Sequence, residues 1–164
     1  MGLIGLISDT HGLVRPSVFD ALARVDLILH AGDVGDGVLD ELKVIAPVRA
    51  VFGNTDPLDA PDLAESIELD HEGVRIHVSH GHELGSPTPD KLLAAYAADV
   101  IVYGHTHRQL VTRADGRWVV NPGAAGQRRF QLEPSVARMQ IRRGEVHIEI
   151  IPLDARPNGT ARRG

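Results

Sequence analysis

The segment DVIVYGHTHR (Asp99–Arg108) ends an apolar run with two histidines separated by one threonine. In extended backbone residues two apart point to the same side, so His105 and His107 can face one crevice together. Five more residues with metal-ligand chemistry stand in the same kind of place, just past an apolar run: Asp9 and His11 after LIGLI, Asp33 after DLILHAG, Asn54 after VRAVFG and His80 after VRIHVS. Four imidazoles and three carboxylate or amide side chains form a hard-to-borderline donor set, suited to manganese, iron, zinc and similar ions. The chain has no cysteine, so no thiolate points to a structural zinc. Seven donors are too many for one ordinary site. A carboxylate shared by two ions gives each ion four protein ligands, and two ions about 3.5–4 Å apart can clamp a phosphoryl oxygen for in-line hydrolysis.

The elements that must carry these residues follow from the apolar pattern. Leu3 to Ile7, DLILH and PVRAVF read as buried strands. Between them stand a helix from Pro16, with Val18, Leu22 and Val25 at helical spacing, and another over Val38 to Ile45. Strand, helix, strand, helix, strand implies right-handed crossovers and a largely parallel sheet, and ligands of such sheets sit beyond the carboxyl ends of the strands. A hairpin turning at HEG, a helix over TPDKLLAAYAAD with Thr88 as cap, the strand before His105, a hairpin at Asp115-Gly116 and another near Arg143-Gly144 complete the chain.

The 164 residues suit a single domain, expected over 1–153 with a frayed tail over 154–164. With 43% hydrophobic and 24% charged residues the composition is that of a globular protein. Lys plus Arg number 17 against 22 for Asp plus Glu, with no basic block, which disfavours an extended nucleic-acid surface. MGLIGLISDT has no basic n-region and too short an apolar run for a signal peptide; no membrane association and a cytoplasmic location are expected. A homo-oligomer is left open.

Several residues have plainer readings. Asp36 reads as the cap of the helix near Val38, and His30, inside an apolar strand, as a satisfied core histidine. His71, His77 and His147 read as hairpin packing. Asp56 reads equally as a loop cap and as a hydrogen-bond partner of a ligand. Arg128 and Arg129 read as a solvated loop pair, with a substrate phosphate as the sharper alternative.

In order along the chain, DTHG (Asp9–Gly12), GDVGD (Gly32–Asp36), GNTD (Gly53–Asp56), SHGH (Ser79–His82) and GHTH (Gly104–His107), followed by NPGA (Asn121–Ala124), resemble the signature of calcineurin-like metallophosphoesterases. Within that superfamily the chain looks like the small single-domain phosphodiesterases of the YfcE type. The resemblance implies an α/β fold, a four-layer αββα sandwich of two packed mixed β-sheets flanked by helices. It implies one ion on Asp9, His11, Asp33 and His107, a second on Asp33, Asn54, His80 and His105, and Asp33 as the bridge. The implied activity is that of a divalent-metal-dependent phosphodiesterase, in which a hydroxide activated by the dinuclear centre attacks the phosphorus of a small phosphoester. Two ions per chain are expected, manganese first, with iron, zinc, nickel or magnesium as alternatives. Asp33, Asn54 and His82 are the catalytic candidates, His82 as the group near the leaving oxygen. Many superfamily members carry a histidine where this chain has Thr55, and a threonine is no general acid near neutral pH; the small-phosphodiesterase branch tends to lack that histidine too. The alternatives are a phosphomonoesterase or nucleotide hydrolase on the same site, and a protein-interaction scaffold similar to the small subunit of the retromer sorting complex.

Overall fold

Strand β1 (Gly2–Ile7) serves two layers at once. Its Ile4 and Leu6 point into one cluster of buried side chains, while Ile7 joins a second on the opposite face. The same division runs through the computed structural model, which describes residues 2–128 and 131–153; the readings for Arg129 and for the tail over 154–164 fall outside those residues. Along the chain β1 is followed by α1 (Pro16–Ala21), β2 (Leu27–His30), α2 (Val38–Leu42), β3 (Val48–Val51), β4 (Leu63–Ala64), β5 (Ile67–His71) and β6 (Val74–Val78). A short 3-10 turn over His82–Leu84 leads to α3 (Pro89–Ala95), β7 (Val100–Val102), β8 (Leu110–Ala114), β9 (Arg117–Asn121), β10 (Ser135–Arg142) and β11 (Glu145–Pro152).

The strands form two mixed sheets, ordered β11-β10-β1-β2-β3-β4 and β5-β6-β7-β9-β8. Strands β1, β2 and β3 pair in parallel, as the strand-helix alternation predicts, β4 joins β3 in the same sense, and β6, β7 and β9 are parallel in the other sheet. Between the sheets lies one core, including Leu29, Ile76, Val102 and Met139. Outside the first sheet Val18 and Leu22 of the α1 region and Val38 and Leu42 of α2 pack on Ile7 and Ile28; outside the second, Leu92 of α3 packs on Ile101 and Val119. These three interfaces make the expected αββα sandwich. None of the helices among the described residues is long and apolar enough to cross a membrane.

All three expected hairpins turn through two residues at positive φ: Glu72-Gly73, Asp115-Gly116 and Arg143-Gly144, as tight type I′ connections require. Thr88 caps α3, its hydroxyl accepting from Lys91 N at 3.3 Å. The helices are shorter than expected: the one over TPDKLLAAYAAD is only Pro89–Ala95, and the one from Pro16 stops at Ala21, short of Val25. The helix expected over Val38 to Ile45 is only Val38–Leu42, and its cap is Gly37, left-handed at φ 80°, rather than Asp36, which is exposed. The segment after Asp56 also contains β4, two residues paired to β3, too short to leave an alternation pattern.

Loops at the carboxyl ends of β1, β2 and β3 are laced together. Asp9 N donates to Gly32 O at 3.0 Å, His11 N to Asp33 O at 3.0 Å and Gly12 N to Val34 O at 2.9 Å. The buried Asp56 carboxylate accepts from Val34 N (3.0 Å), Gly35 N (3.2 Å) and Gly53 N (2.9 Å), so it ties the loop carrying Asp33 to the one carrying Asn54. That is a wider role than either reading given to it above. Asp56→Ala leaves these amides without their acceptor and is expected to cost about 2–3 kcal/mol of unfolding free energy, read from urea denaturation. A change below about 0.5 kcal/mol, the range of an ordinary surface substitution, would contradict the clamp.

Candidate metal centre

Each sequence-predicted donor lies in a loop just beyond a strand: Asp9 and His11 after β1, Asp33 after β2, Asn54 after β3, His80 after β6, His105 and His107 after β7. Five of the seven have left-handed backbone, with φ of 54° at Asp9, 47° at His11, 56° at Asp33, 72° at His105 and 64° at His107. Side-chained residues rarely adopt this conformation, and it gathers at functional sites. Of the other non-glycine residues at positive φ among the described residues, three belong to hairpin turns and the fourth is Arg24. His105 and His107 thus share the crevice through two left-handed bends, rather than through strand alternation, since β7 ends at Val102.

Glycine makes room for these bends. A Cβ on Gly53 would collide with the Asp33 carboxylate, and one on Gly104 with the Ser8 hydroxyl and the Asp9 carboxylate. Both are positions where the backbone of one loop approaches a donor of another.

Asp9 Oδ1 lies 3.3 Å from His107 Nε2, 3.8 Å from His80 Nε2 and 3.9 Å from His11 Nε2. It is buried and none of these neighbours is aligned to hydrogen-bond it. Asp33 Oδ2 is 3.3 Å from His80 Nε2 and 3.7 Å from His11 Nε2, and Asn54 Oδ1 is 3.1 Å from His80 Nε2. One donor atom each from Asp9, His11 and His107 falls within 4.8 Å of the others, and the same holds for Asp9, Asp33 and His80. Asp9 is common to these groups, while Asp33 also spans both through its closeness to His11 and His80. His105 stands beside them, its ring 5.2 Å from that of His80 and its N–H donating to Asp9 Oδ2 at 3.2 Å. With His11, Asp33, Asn54, Thr55 and His107 it lines a cavity of about 470 Å³, whose wall also includes Arg108 and Leu132.

Nitrogen and oxygen donors converging on a buried carboxylate oxygen that lacks a proton donor fit a divalent cation. The orientation is also right. His80 Nδ1 lies 2.8 Å from Ala31 O, an atom that can only accept, so Nδ1 carries a proton and the ring is held with Nε2 directed at Asn54 Oδ1 and Asp33 Oδ2, where an ion would replace the Nε2 proton. Burial alone would raise the Asp9 carboxyl, but His107, His80 and the Ser8 hydroxyl outweigh it and hold it below the usual range. Asp33 is likewise held well below that range, burial being outweighed by His80 and the Thr55 N–H. Burial works against a charged His80, yet Asp33 and Asp9 raise its pKa; His105 is lowered by burial and by His80. The carboxylates therefore draw positive charge to the crevice floor.

His82 begins the 3-10 turn, its ring centroid 5.3 Å from that of His80 and 6.4 Å from that of His105, with a buried Nδ1 that has no hydrogen-bond partner. His77 lies apart from the donor cluster, paired with Glu68 and stacked on Tyr96. Sequence reading missed Ser8, whose hydroxyl donates to Asp9 Oδ2 at 2.7 Å, and Leu132. Neither has a distinguishing local pattern, although Ser8 adjoins the first donor.

A model of the calcineurin-like phosphoesterase superfamily domain matches residues 3–144. A probable metallophosphoesterase from Methanothermobacter thermautotrophicus is 36% identical over 164 aligned residues, spanning 93% of this chain and 94% of that protein. A phosphodiesterase from Methanocaldococcus jannaschii is 26% identical over 73% of this chain and 82% of its own length. Among solved structures, Entamoeba histolytica Vps29 complexed with zinc shares the fold, with a TM-score of 0.77 at 24% identity over 93% of this chain and 99% of that one. With the family match covering most of its length, the chain belongs to the calcineurin-like phosphoesterase superfamily and is a metal-dependent phosphoesterase.

Proposed function

We propose that the chain is a phosphodiesterase for a small substrate, with two divalent ions held by Asp9, His11, Asp33, Asn54, His80, His105 and His107. The observation that carries this reading is Asp9 Oδ1, buried, without a hydrogen-bond partner and surrounded by three imidazole nitrogens. Asp33, which reaches toward both His11 and His80, is the proposed bridge. Ions bound there supply Lewis acidity for in-line hydrolysis of a phosphoester. Manganese is the first candidate among the ions such donors accept.

The chain's own groups divide the remaining work. Asp9 and Asp33 provide fixed negative charge, and Ala31 O holds the His80 ring with Nε2 toward them. Thr55 sits at the mouth with no proton to offer near neutral pH; its N–H instead holds Asp33 Oδ1 at 2.9 Å. His82 is the proposed proton donor to the leaving oxygen, through a ring next to His80 and His105. The relative named a phosphodiesterase supports a diester over a monoester or nucleotide substrate. Fold likeness to Vps29 supports the second reading, an interaction scaffold, whereas a donor at every expected position favours chemistry.

An aryl phosphodiester should be hydrolysed with added Mn²⁺, and chelation should abolish turnover. Asp33→Asn should lower kcat by more than about 10-fold, the smaller end of what even indirect partners of a metal cost. No turnover with Mn, Fe, Zn, Ni or Mg would refute the enzyme. His82→Ala should lower the rate on an unactivated alkyl diester by about 10²-fold, as loss of a general acid does, and spare the activated aryl diester. Equal rates for variant and wild type on both substrates would remove His82 from the mechanism.

A further inference from the structure

His30 is fully buried, three residues before Asp33, and the mechanism above gives it no task. Its hydrogen bonds nonetheless run in one direction. Gly32 N donates to His30 Nδ1 at 3.1 Å, so Nδ1 is the unprotonated nitrogen and the ring proton is on Nε2. Nε2 lies 2.9 Å from Thr10 Oγ1 and donates to it, and Thr10 Oγ1 in turn donates to Val34 O at 2.7 Å. Burial, despite Asp9 and Asp56 nearby, pushes the His30 pKa down to about 4, which keeps the ring neutral and the relay in this sense at neutral pH.

The endpoints of the relay give it meaning. Thr10 separates Asp9 from His11, both left-handed, and Gly32 and Val34 flank Asp33, also left-handed. Three strained donors therefore stand on two bends joined through one buried imidazole and one buried hydroxyl. Neither His30 nor Thr10 is among the residues that line the cavity with His11, Asp33, Asn54, His105 and His107.

We infer that His30 and Thr10 are positioning residues, which fix the bends bearing Asp9, His11 and Asp33 so that the donors are set for an ion before it arrives. This rests on the reading of the crevice as a metal site. Losing the relay should leave the donors present but misaligned, and loss of such supporting partners typically weakens metal binding about 10- to 100-fold.

The test is calorimetric titration of Mn²⁺ into metal-stripped wild type, Thr10→Val, Thr10→Ser and His30→Phe, with thermal melts of each metal-free protein. Thr10→Val keeps the side-chain shape and removes the hydroxyl, so it carries the test even if His30→Phe fails to fold. The inference expects Thr10→Val to melt cooperatively and bind Mn²⁺ about 10- to 100-fold more weakly, with Thr10→Ser near wild-type affinity. Wild-type affinity in Thr10→Val overturns it, as does an equal loss in Thr10→Ser. A lower melting temperature with unchanged affinity would mark a purely structural pair and also overturns it. If wild type itself binds no Mn²⁺, the metal-site reading falls, and the inference with it.

Discussion

The structure turns on bends that side-chained residues resist. Asp9, His11, Asp33, His105 and His107 all have positive φ, a conformation that costs an L-residue roughly 1–2 kcal/mol. Such residues persist where the surroundings over-determine them. Parallel pairing of β1, β2 and β3 brings the ends of these strands into one region, and backbone bonds from Asp9, His11 and Gly12 to Gly32, Asp33 and Val34 lace the first two loops. Asp56 then fastens the second loop to the third. The bends turn side chains that would otherwise continue each strand's alternation back into a common crevice.

Electrostatics follow from that geometry. Two carboxylates, Asp9 and Asp33, are brought close to the same imidazoles, and their burial would favour neutral forms if nothing positive were near. The neighbouring histidines keep both ionised. His80, held through Nδ1 by Ala31 O, aims its other nitrogen at the carboxylates. Carboxylate oxygens and imidazole nitrogens thus face one another across 3–4 Å gaps, a spacing at which a divalent ion could take the place of the imidazole protons.

The fold and the convergence of these side chains were legible in the sequence for a shared reason. Strands buried on both faces leave uninterrupted apolar runs such as LIGLI, and the polar residue ending each run marks the crevice. Asp115-Gly116 and Arg143-Gly144 signalled their turns because few residues accept positive φ. What stayed hidden depends on contacts made across the chain. Asp56 meets Val34, 22 residues away, and no local pattern says that a carboxylate will gather backbone amides rather than cap its own loop. Asp36 resembled a cap until Gly37 took that place, and β4 is too short for periodicity to register. The histidine pair was assigned to one crevice on strand alternation, and the backbone reaches that crevice by bends instead.

In the proposed function this crevice binds two divalent ions bridged by Asp33. An anomalous difference map from crystals grown with Mn²⁺ tests this directly. It should contain two peaks, one among Asp9, His11, Asp33 and His107 and the other among Asp33, Asn54, His80 and His105. A crevice without anomalous density, or Mn²⁺ bound only elsewhere on the molecule, would contradict it.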